Sequence, residues 1–420
     1  MDEQSVDEES VHEESLHERS KDQRMHVGLV HWSFTPCVGG VETHLWHFSR
    51  LLAAHGVDVT VFTGTPEPTT PSLSAPPVRS GAAGAGTIAI ERHSGLDLAA
   101  DGTRSPDEPE LGQWFGELLA ARGIRIVHGH NLHHFSAGPA RALAELREEL
   151  GLRLVHTYHS IWQEESNPAA EACRDWHLHF AVSDFLSEAC TRQLGFEVER
   201  RYLGIDTAAY VDVPVSGVQE PGMVLLPARL IPDKGAELAI RAVHHVIEHG
   251  LSPRVTPRLV LMRTGTENTV DFHGETIGFY GELQKLLKDL KVKDGVVEFA
   301  EAGVDHMRKL YERASVVVYP SMFEEPMGLA PLEAMCAARP VVVTRMGGLD
   351  EGVEEDGEIG FLVPDRNVTK LADRIALLLD DPELARAVGL RAREHVVNHF
   401  DLERFYLEPM LDVYREQLGL

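Results

Sequence analysis

The chain has few cysteines and no long apolar stretch. Its 420 residues include four cysteines, which lie far apart and form no C-x-x-C pair: Cys37, Cys173, Cys190 and Cys336. The sequence therefore indicates neither a zinc site nor a disulfide framework, and a reduced cytoplasm is the expected location. No uninterrupted apolar run reaches the ~18 residues of a membrane span, and the N-terminus lacks a secretory signal pattern. We therefore expect a soluble protein.

Positive charge is also scarce. There are 39 Lys and Arg residues against 66 Asp and Glu residues, which gives a formal net charge of −27. Nucleic acids and anionic lipid surfaces are bound largely through positive charge. The composition thus disfavours a nucleic-acid partner and stable membrane association, and it says nothing about the oligomeric state.

Several motifs that would identify other enzyme classes are absent from the sequence. Without G-x-G-x-x-G a nicotinamide enzyme is disfavoured, and without G-x-S-x-G a serine hydrolase is unexpected. There is no H-E-x-x-H and no D-x-D pair to hold a catalytic divalent ion. We therefore expect neither a metal nor a cofactor.

Short β-branched runs alternate with amphipathic helical patterns along the chain, which is typical of parallel sheets with crossover helices. Residues 1–24 carry the polar repeat SVDEE-SVHEE-SLHER and are predicted to be a disordered acidic tail. We predict a Rossmann-like acceptor-side domain over 25–215, a second Rossmann-like domain over 216–396, and a C-terminal helix over 397–420 that packs back on the first domain. Two such α/β domains would face a central cleft, where the ligands of open α/β sheets bind.

Glu325 and Glu333 are eight residues apart, between a strand-like run and a helix. If this segment is largely helical it spans about 12 Å, roughly the distance from a hexose to a ribose across the diphosphate of a nucleotide sugar. Backbone N–H groups from Met327 to Ala330, including Gly328 and Leu329, would form a helix N-terminus suited to phosphate oxygens. Two solvated acids beside a helix cap would be the ordinary alternative.

Other candidates follow predicted strands. Arg229 and Lys234, in RLIPDKG, could stabilise a departing diphosphate without a metal. Gly39 and Gly40 begin the first helix and would let the main chain approach a ligand, although a simple tight turn is nearly as plausible. A second glycine pair stands in RMGGLDE, residues 345–351, after another buried strand.

Histidines are frequent at the predicted strand ends of the first domain. A lone histidine is more often structural than functional. His159 ends a core strand facing the proposed donor site, and we favour a functional role for it; for His130 the two interpretations are evenly balanced. Together with Trp162, His130 is predicted to lie on the acceptor side of the cleft.

These segments together resemble the retaining GT-B glycosyltransferases of family 4, from about Met25 to the end of the chain. The most specific part is YPSMFEEPMGLAPLEAM, residues 319–335, which is similar to the family's Glu-x7-Glu signature. The turn at 39–42, the AVS segment at 181–183 and the glycine pair at 347–348 are similar as well. The resemblance implies a nucleoside-diphosphate sugar as donor substrate, with retention of anomeric configuration and no metal.

Residue roles are implied in the same way. Glu325 would bind the transferred sugar and Glu333 the ribose, while Arg229 and Lys234 would hold the diphosphate. His159 would contact the sugar near the reacting carbon. A catalytic set is therefore expected, formed by His159, Arg229, Lys234 and Glu325. The donor-binding set is expected to comprise Gly39, Gly40, Arg229, Lys234, Glu325, Met327, Gly328, Leu329 and Glu333.

The chain departs from the family pattern in places, and the acceptor is open. YLGID at 202–206 stands where the family often has PNGVD. We expect a soluble small-molecule acceptor, such as a sugar or an aminocyclitol in specialised-metabolite (antibiotic-type) biosynthesis. A sugar-nucleotide 2-epimerase on the same fold and a catalytically silent nucleotide-sugar-binding protein remain as alternatives.

Overall fold

The first domain is built on a seven-stranded sheet. The structure is a computed structural model, and it describes residues 24–35, 39–65, 84–97, 109–134, 136–162, 167–215, 220–263, 269–270, 276–301, 306–353 and 357–420. The predicted acidic tail therefore lies almost entirely outside the described residues. The strands are β1 His26–Val30, β2 Asp58–Thr63, β3 Ile88–Arg92, β4 Ile126–His130, β5 Arg153–Tyr158, β6 Leu178–Ala181 and β7 Glu199–Arg200. They are all parallel, in the order β3-β2-β1-β4-β5-β6-β7. The central strands are buried on both faces, which explains their continuous apolar runs.

Helices connect the strands of this sheet. They are α1 Gly40–Ala54, α2 Pro109–Arg122, α3 Ala137–Leu150, α4 Pro168–Ala172 and α5 Asp184–Leu194. The helical spacing of Leu45, Phe48, Leu51 and Leu52 predicts one apolar stripe on α1; the helix buries Leu45, Phe48 and Leu52, whereas Leu51 is half-buried. Helix α5 begins after Ser183, whose side chain accepts a hydrogen bond from the Leu186 N–H.

The second domain repeats the same plan with a six-stranded parallel sheet. Its strands are β8 Met223–Leu226, β9 Arg258–Arg263, β12 Val297–Glu301, β13 Val316–Tyr319, β14 Val341–Thr344 and β15 Phe361–Val363. Between β9 and β12 in the sequence, β10 Thr269–Val270 and β11 Thr276–Ile277 form a separate, short antiparallel pair. The order is β12-β9-β8-β13-β14-β15. The helices are α6 Ala236–Glu248, α7 Phe279–Asp289, α8 Met307–Arg313, α9 Leu329–Cys336 and α10 Val368–Asp380. The predicted class, two Rossmann-like α/β domains, is confirmed.

The chain crosses between the domains at two segments that pair with each other. The Ile205 N–H donates to the Phe400 carbonyl at 2.9 Å, and the Leu402 N–H donates to the Ile205 carbonyl at 2.9 Å. The second crossing follows helix α11, Pro382–His399. Gly204 is required here, because a Cβ at this position would collide with the backbone of Leu402.

The C-terminal helix predicted over 397–420 differs in detail, because α11 ends at His399 and the chain continues helically only after the crossing. A π-helical turn, Glu403–Leu407, precedes α12, Glu408–Leu418. The wider turn shifts the direction in which the following side chains point. Tyr406 packs edge-on against His44, with ring centroids 4.6 Å apart, and the Tyr414 hydroxyl lies 2.6 Å from Nδ1 of His128. The C-terminal segment thus packs on the first domain. No described helix is both long and apolar enough to cross a membrane.

Candidate active site

Lys234 and Glu325 form a buried ion pair at the carboxyl edge of the second sheet. Lys234 follows β8, and Glu325 follows the neighbouring strand β13, so the sheet order brings together two residues 91 positions apart. The distance from Nζ to Oε1 is 2.5 Å, and the side chains are only 10% and 5% exposed. Gly235 makes this approach possible: it has φ +76°, and a Cβ there would collide with the Pro320 carbonyl.

The burial of Lys234 disfavours its charged form unless a negatively charged partner such as Glu325 lies beside it. Burial lowers the pKa of the Lys234 ammonium, and the negative charge and hydrogen bond of Glu325 oppose that effect. The rings of Phe323 and Tyr319 lie 4.5 and 5.5 Å from Nζ. A cation held in such a dry site interacts strongly with a ligand anion because water screens it little.

The backbone of Glu325 is fixed by the glycine pair. Glu325 forms a parallel bridge with Gly347, and the Gly348 N–H donates to the Glu325 carbonyl at 2.7 Å. Residues 325–328 are not helical, since α9 begins only at Leu329 after Gly328 with φ +84°. The premise of a largely helical link between Glu325 and Glu333 is therefore wrong: an extended segment and a glycine turn separate Glu325 from the helix that carries Glu333.

Replacing Gly347 by alanine should disturb the position of Glu325. Gly347 has φ +64°, and a Cβ there would collide with the backbone of Glu324 and Glu325. We expect a loss of about 1–3 kcal/mol in the free energy of unfolding, together with reduced donor binding, measured by thermal unfolding and calorimetry. Gly281→Ala is the control, since Gly281 lies in α7 with no heavy atom near its Cβ position. Equal unfolding temperatures for the two variants would contradict this account.

Glu333 projects from α9 towards a pocket between the domains. The Tyr311 hydroxyl donates to its Oε2 at 2.9 Å, and Tyr210 donates a second hydrogen bond. Burial raises the pKa of Glu333 to about 7, although the two tyrosine hydrogen bonds act in the opposite direction. The pocket is narrow and partly open to solvent. Its lining comes from both domains: Thr43, His44, His47, Gly204, Ile205, Asp206, Ala209, Tyr210, Leu329, Glu333 and Leu402.

Gly39 and Gly40 stand at the start of α1 on the other side of the cleft. Gly39 is the N-cap residue in an extended conformation, and Gly40 has open space at its Cβ position. Glu42 folds back over Gly39. Burial tends to raise the pKa of Glu42, but the hydrogen bond and charge of His31, with a contribution from Arg229 of the second domain, lower it overall.

His159 lies within a group of buried histidines. Its Nε2 shares a 2.9 Å hydrogen bond with Nδ1 of His130, and its backbone N–H donates to Oδ1 of Asn131 at 2.6 Å. Asn131 adopts φ 53°, which is uncommon for a residue other than glycine. Burial, with repulsion from neighbouring histidines, holds the pKa values of His130 and His159 well below the ordinary histidine value, so both rings are neutral near pH 7. Among the described residues, no three His, Cys, Asp or Glu side chains are placed to hold a metal ion.

The two residues predicted for the acceptor side are both buried. His130 is fully inaccessible, and Trp162 packs against His133 and Tyr158, with ring centroids 5.1 and 5.8 Å away. Met327 is buried as well, whereas Arg229 and Leu329 are partly exposed. Sequence reasoning did not identify Tyr210, Tyr311 or His31, because their importance comes from contacts with residues far away in the sequence.

Two family models match the chain, one for each domain. The model described as Glycosyltransferase Family 4 matches residues 38–209, and the model described as Glycosyl transferases group 1 matches residues 214–395. The second match contains the Lys234–Glu325 pair and Glu333, and the first contains Gly39, Gly40 and His159.

Curated relatives and solved structures agree with these matches. The glycogen synthase of Mycobacterium tuberculosis is 28% identical, over 90% of this chain and 91% of the relative. The D-inositol 3-phosphate glycosyltransferase of Acidothermus cellulolyticus is 27% identical, over 91% of this chain and 86% of the relative. The structure of Anabaena Alr3699/HepE in complex with UDP and glucose has a TM-score of 0.70 at 19% identity, covering 94% of this chain and 100% of that one. The chain is therefore a glycosyltransferase with the GT-B fold, whose first domain matches the Glycosyltransferase Family 4 model and whose second domain matches the Glycosyl transferases group 1 model.

Proposed function

We propose that this glycosyltransferase moves a sugar from a nucleoside-diphosphate sugar to a soluble small-molecule acceptor, with retention of anomeric configuration and without a metal. The observation that carries the proposal is the buried Lys234–Glu325 pair, 2.5 Å apart at the carboxyl edge of the second sheet. A buried cation beside a carboxylate suits a ligand with an anionic diphosphate next to a polyhydroxylated sugar.

The proposed donor extends from this pair to Glu333. Lys234 and Arg229 bind the diphosphate, Glu325 accepts hydrogen bonds from sugar hydroxyls, and Glu333 accepts hydrogen bonds from the ribose. The N–H groups at the start of α9 face phosphate oxygens, and the backbone at Gly39 and Gly40 closes the site from the first domain. The HepE structure with UDP and glucose makes UDP-sugars the first donors to try.

The proposed reaction needs no enzyme carboxylate as nucleophile. The bond between the anomeric carbon and the diphosphate oxygen breaks, and the acceptor hydroxyl oxygen bonds to the same face of that carbon. The acceptor proton passes to the departing phosphate oxygen. Arg229 and Lys234 stabilise the negative charge that develops on the leaving group, while the neutral imidazole of His159 contacts the sugar.

Incubation with UDP-, GDP-, ADP- and dTDP-sugars tests the proposal. Each donor is supplied alone and with acceptors that include an α-glucan, D-inositol 3-phosphate and an aminocyclitol, the first two taken from the names of the relatives. We expect a glycosylated product, with the donor's anomeric configuration, only when an acceptor is present. Conversion of the donor alone into an isomeric nucleotide sugar would instead support the 2-epimerase alternative.

The acceptor-side assignment is tested separately. If His130 and Trp162 shape the acceptor pocket, the variants His130→Ala and Trp162→Ala should bind the acceptor more weakly, and Trp162→Ala should do so at unchanged donor affinity, since His130 also hydrogen-bonds to His159. Full acceptor affinity in both variants would overturn that assignment. The setting in specialised metabolism stays a prediction from the sequence.

A further inference from the structure

We propose that Glu351 is a positioning residue: it joins the second domain to the N-terminus of α5 in the first domain and thereby holds the sugar-binding loop in place. The proposal rests on the proposed function for its catalytic consequence, whereas the contact itself can be tested without any substrate.

The contact is a carboxylate bound by two backbone amides. Oε2 of Glu351 accepts a hydrogen bond from the Asp184 N–H, and Oε1 accepts one from the Phe185 N–H, both at 2.7 Å. These are the first two residues of α5, an 11-residue helix, and their N–H groups have no partner within the helix. A negative charge at this end also interacts favourably with the helix dipole. We call this contact the interdomain clasp.

The clasp uses donors that the Ser183 cap leaves free. The Ser183 hydroxyl oxygen accepts from the N–H of Leu186, the third residue of α5, at 3.1 Å. The preceding two amides therefore need acceptors from elsewhere, and Glu351 supplies both. Tyr202 extends the contact, because its hydroxyl donates to Oδ2 of Asp184 at 3.0 Å and also hydrogen-bonds to Glu351.

On its other side the clasp is connected to Glu325 by a few residues. Glu351 lies in the 3₁₀ turn Asp350–Gly352, which begins one residue after the glycine pair. Gly348 donates its N–H to the Glu325 carbonyl, and a Cβ on Gly348 would lie 3.0 Å from the side chain of Ser183. The loop that fixes Glu325 is thus packed directly against the first domain.

The two crossing segments described above allow the domains to rotate about them, as hinged domains do. A contact between the domains outside these crossings is needed to select one arrangement. Two segments noted in the sequence, AVS at 181–183 and RMGGLDE at 345–351, meet in that contact. Loss of the clasp should therefore increase interdomain motion and misplace Glu325 relative to His159.

Three variants separate the clasp from other effects. Glu351→Gln keeps the size of the side chain, but its amide group can accept only one of the two N–H bonds. Asp184→Pro removes the Asp184 N–H at the first helical position, which proline tolerates, and the extended conformation of Ser183 suits a following proline. Asp184→Ala is the matched control: it removes the carboxylate that meets Tyr202 and Arg200 but keeps the N–H.

The distance between the domains is measured by double electron–electron resonance. Spin labels are placed on cysteines introduced at Glu149 in α3 and Lys288 in α7, which are both exposed, in a background with Cys37 replaced by serine; Cys173, Cys190 and Cys336 are buried. With or without UDP, we expect a broader and longer distance distribution in Glu351→Gln and Asp184→Pro and an unchanged one in Asp184→Ala. Parent-like distributions in both clasp variants would overturn the proposal.

Steady-state kinetics provide the catalytic test. We expect kcat to fall about tenfold or more in the two clasp variants, as a small misplacement of reacting groups does, with a smaller change in the KM for the donor. Asp184→Ala should keep the parent kcat. An equal fall of kcat in Asp184→Ala would assign the effect to the carboxylate and overturn the role of the amides. If neither the parent protein nor any variant transfers sugar, the proposed function is wrong. The distance measurement still shows in that case whether the interdomain clasp holds the two domains in one arrangement.

Discussion

Glu325→Gln is expected to abolish sugar transfer and to lower the free energy of unfolding by about 3 kcal/mol. The substitution leaves the Lys234 ammonium buried without its counter-charge, in a place where burial already disfavours the charged form. Transfer should fall by about 10³-fold or more, because the sugar loses its acceptor carboxylate and the cation that faces the leaving group is displaced. Chemical unfolding and initial rates measure the two effects.

Two further variants show whether loss of the buried Lys234–Glu325 ion pair causes the loss of stability. Lys234→Met/Glu325→Gln should be more stable than the sum of the single variants predicts, since it removes both charges. Glu237→Gln is the matched control in the same domain: it breaks an exposed ion pair with Arg241 at 2.7 Å and should cost less than about 0.5 kcal/mol. A similar loss of stability in Glu237→Gln and Glu325→Gln would contradict the argument from burial.

Donor affinity is expected to increase with pH and to level off above about pH 7. The pKa of Glu333 is raised to about 7, and only the ionised carboxylate accepts hydrogen bonds from both ribose hydroxyls. Below that pH, donor affinity should fall about tenfold for each pH unit, because Glu333 must then lose its proton before the donor can bind. Calorimetry with UDP-glucose from pH 5.5 to 8.5 measures the donor affinity. The phosphates of UDP-glucose do not themselves titrate over this range, because both are diesters that stay ionised.

Variants assign the titration to Glu333. In Glu333→Gln the residual affinity should be weak and independent of pH. Tyr311→Phe removes a hydrogen bond that lowers the pKa of Glu333, so the midpoint should move to higher pH. The same midpoint in the parent and in Glu333→Gln would show that another group titrates.

The same pKa predicts the effect of pH on stability. A carboxyl group whose pKa is higher in the folded than in the unfolded state binds more protons when folded. Stability should therefore fall as pH rises from about 4.5, the ordinary value for Glu, to about 7. At about 1.4 kcal/mol per pKa unit, the loss reaches about 3.5 kcal/mol at pH 8. In Glu333→Gln much of this loss of stability should be absent, so the difference in the free energy of unfolding between pH 5 and pH 8 should be smaller than in the parent.

The fold could be predicted from the sequence because its signals are local. The continuous apolar run of β13 and the helical spacing of Leu45, Phe48 and Leu52 in α1 each reflect burial of a single element. The π turn at Glu403–Leu407 was missed because a helical hydrophobic pattern does not record one extra residue in a turn.

The contacts of the site could be predicted only in part. Lys234 and Glu325 were both identified, but their pairing depends on β8 lying beside β13, which no local pattern contains. The Glu-x7-Glu segment was found, whereas the glycine turn at Gly328 that separates its two carboxylates was not. The hydrogen bonds of Tyr311 and Glu351 join residues distant in sequence, and a single tyrosine or glutamate gives no signal of such a partner.

Calorimetric titration of the full chain with UDP-glucose, with the sugars of GDP, ADP and dTDP in parallel, tests the central claim most directly. A cleft that holds a nucleotide sugar between Lys234, Glu325 and Glu333 predicts one site per chain for at least one donor, with affinity strongly reduced in Glu325→Gln and Glu333→Gln but parent-like in Glu237→Gln. Absence of binding by every nucleotide sugar, or binding that survives both site substitutions, would contradict it.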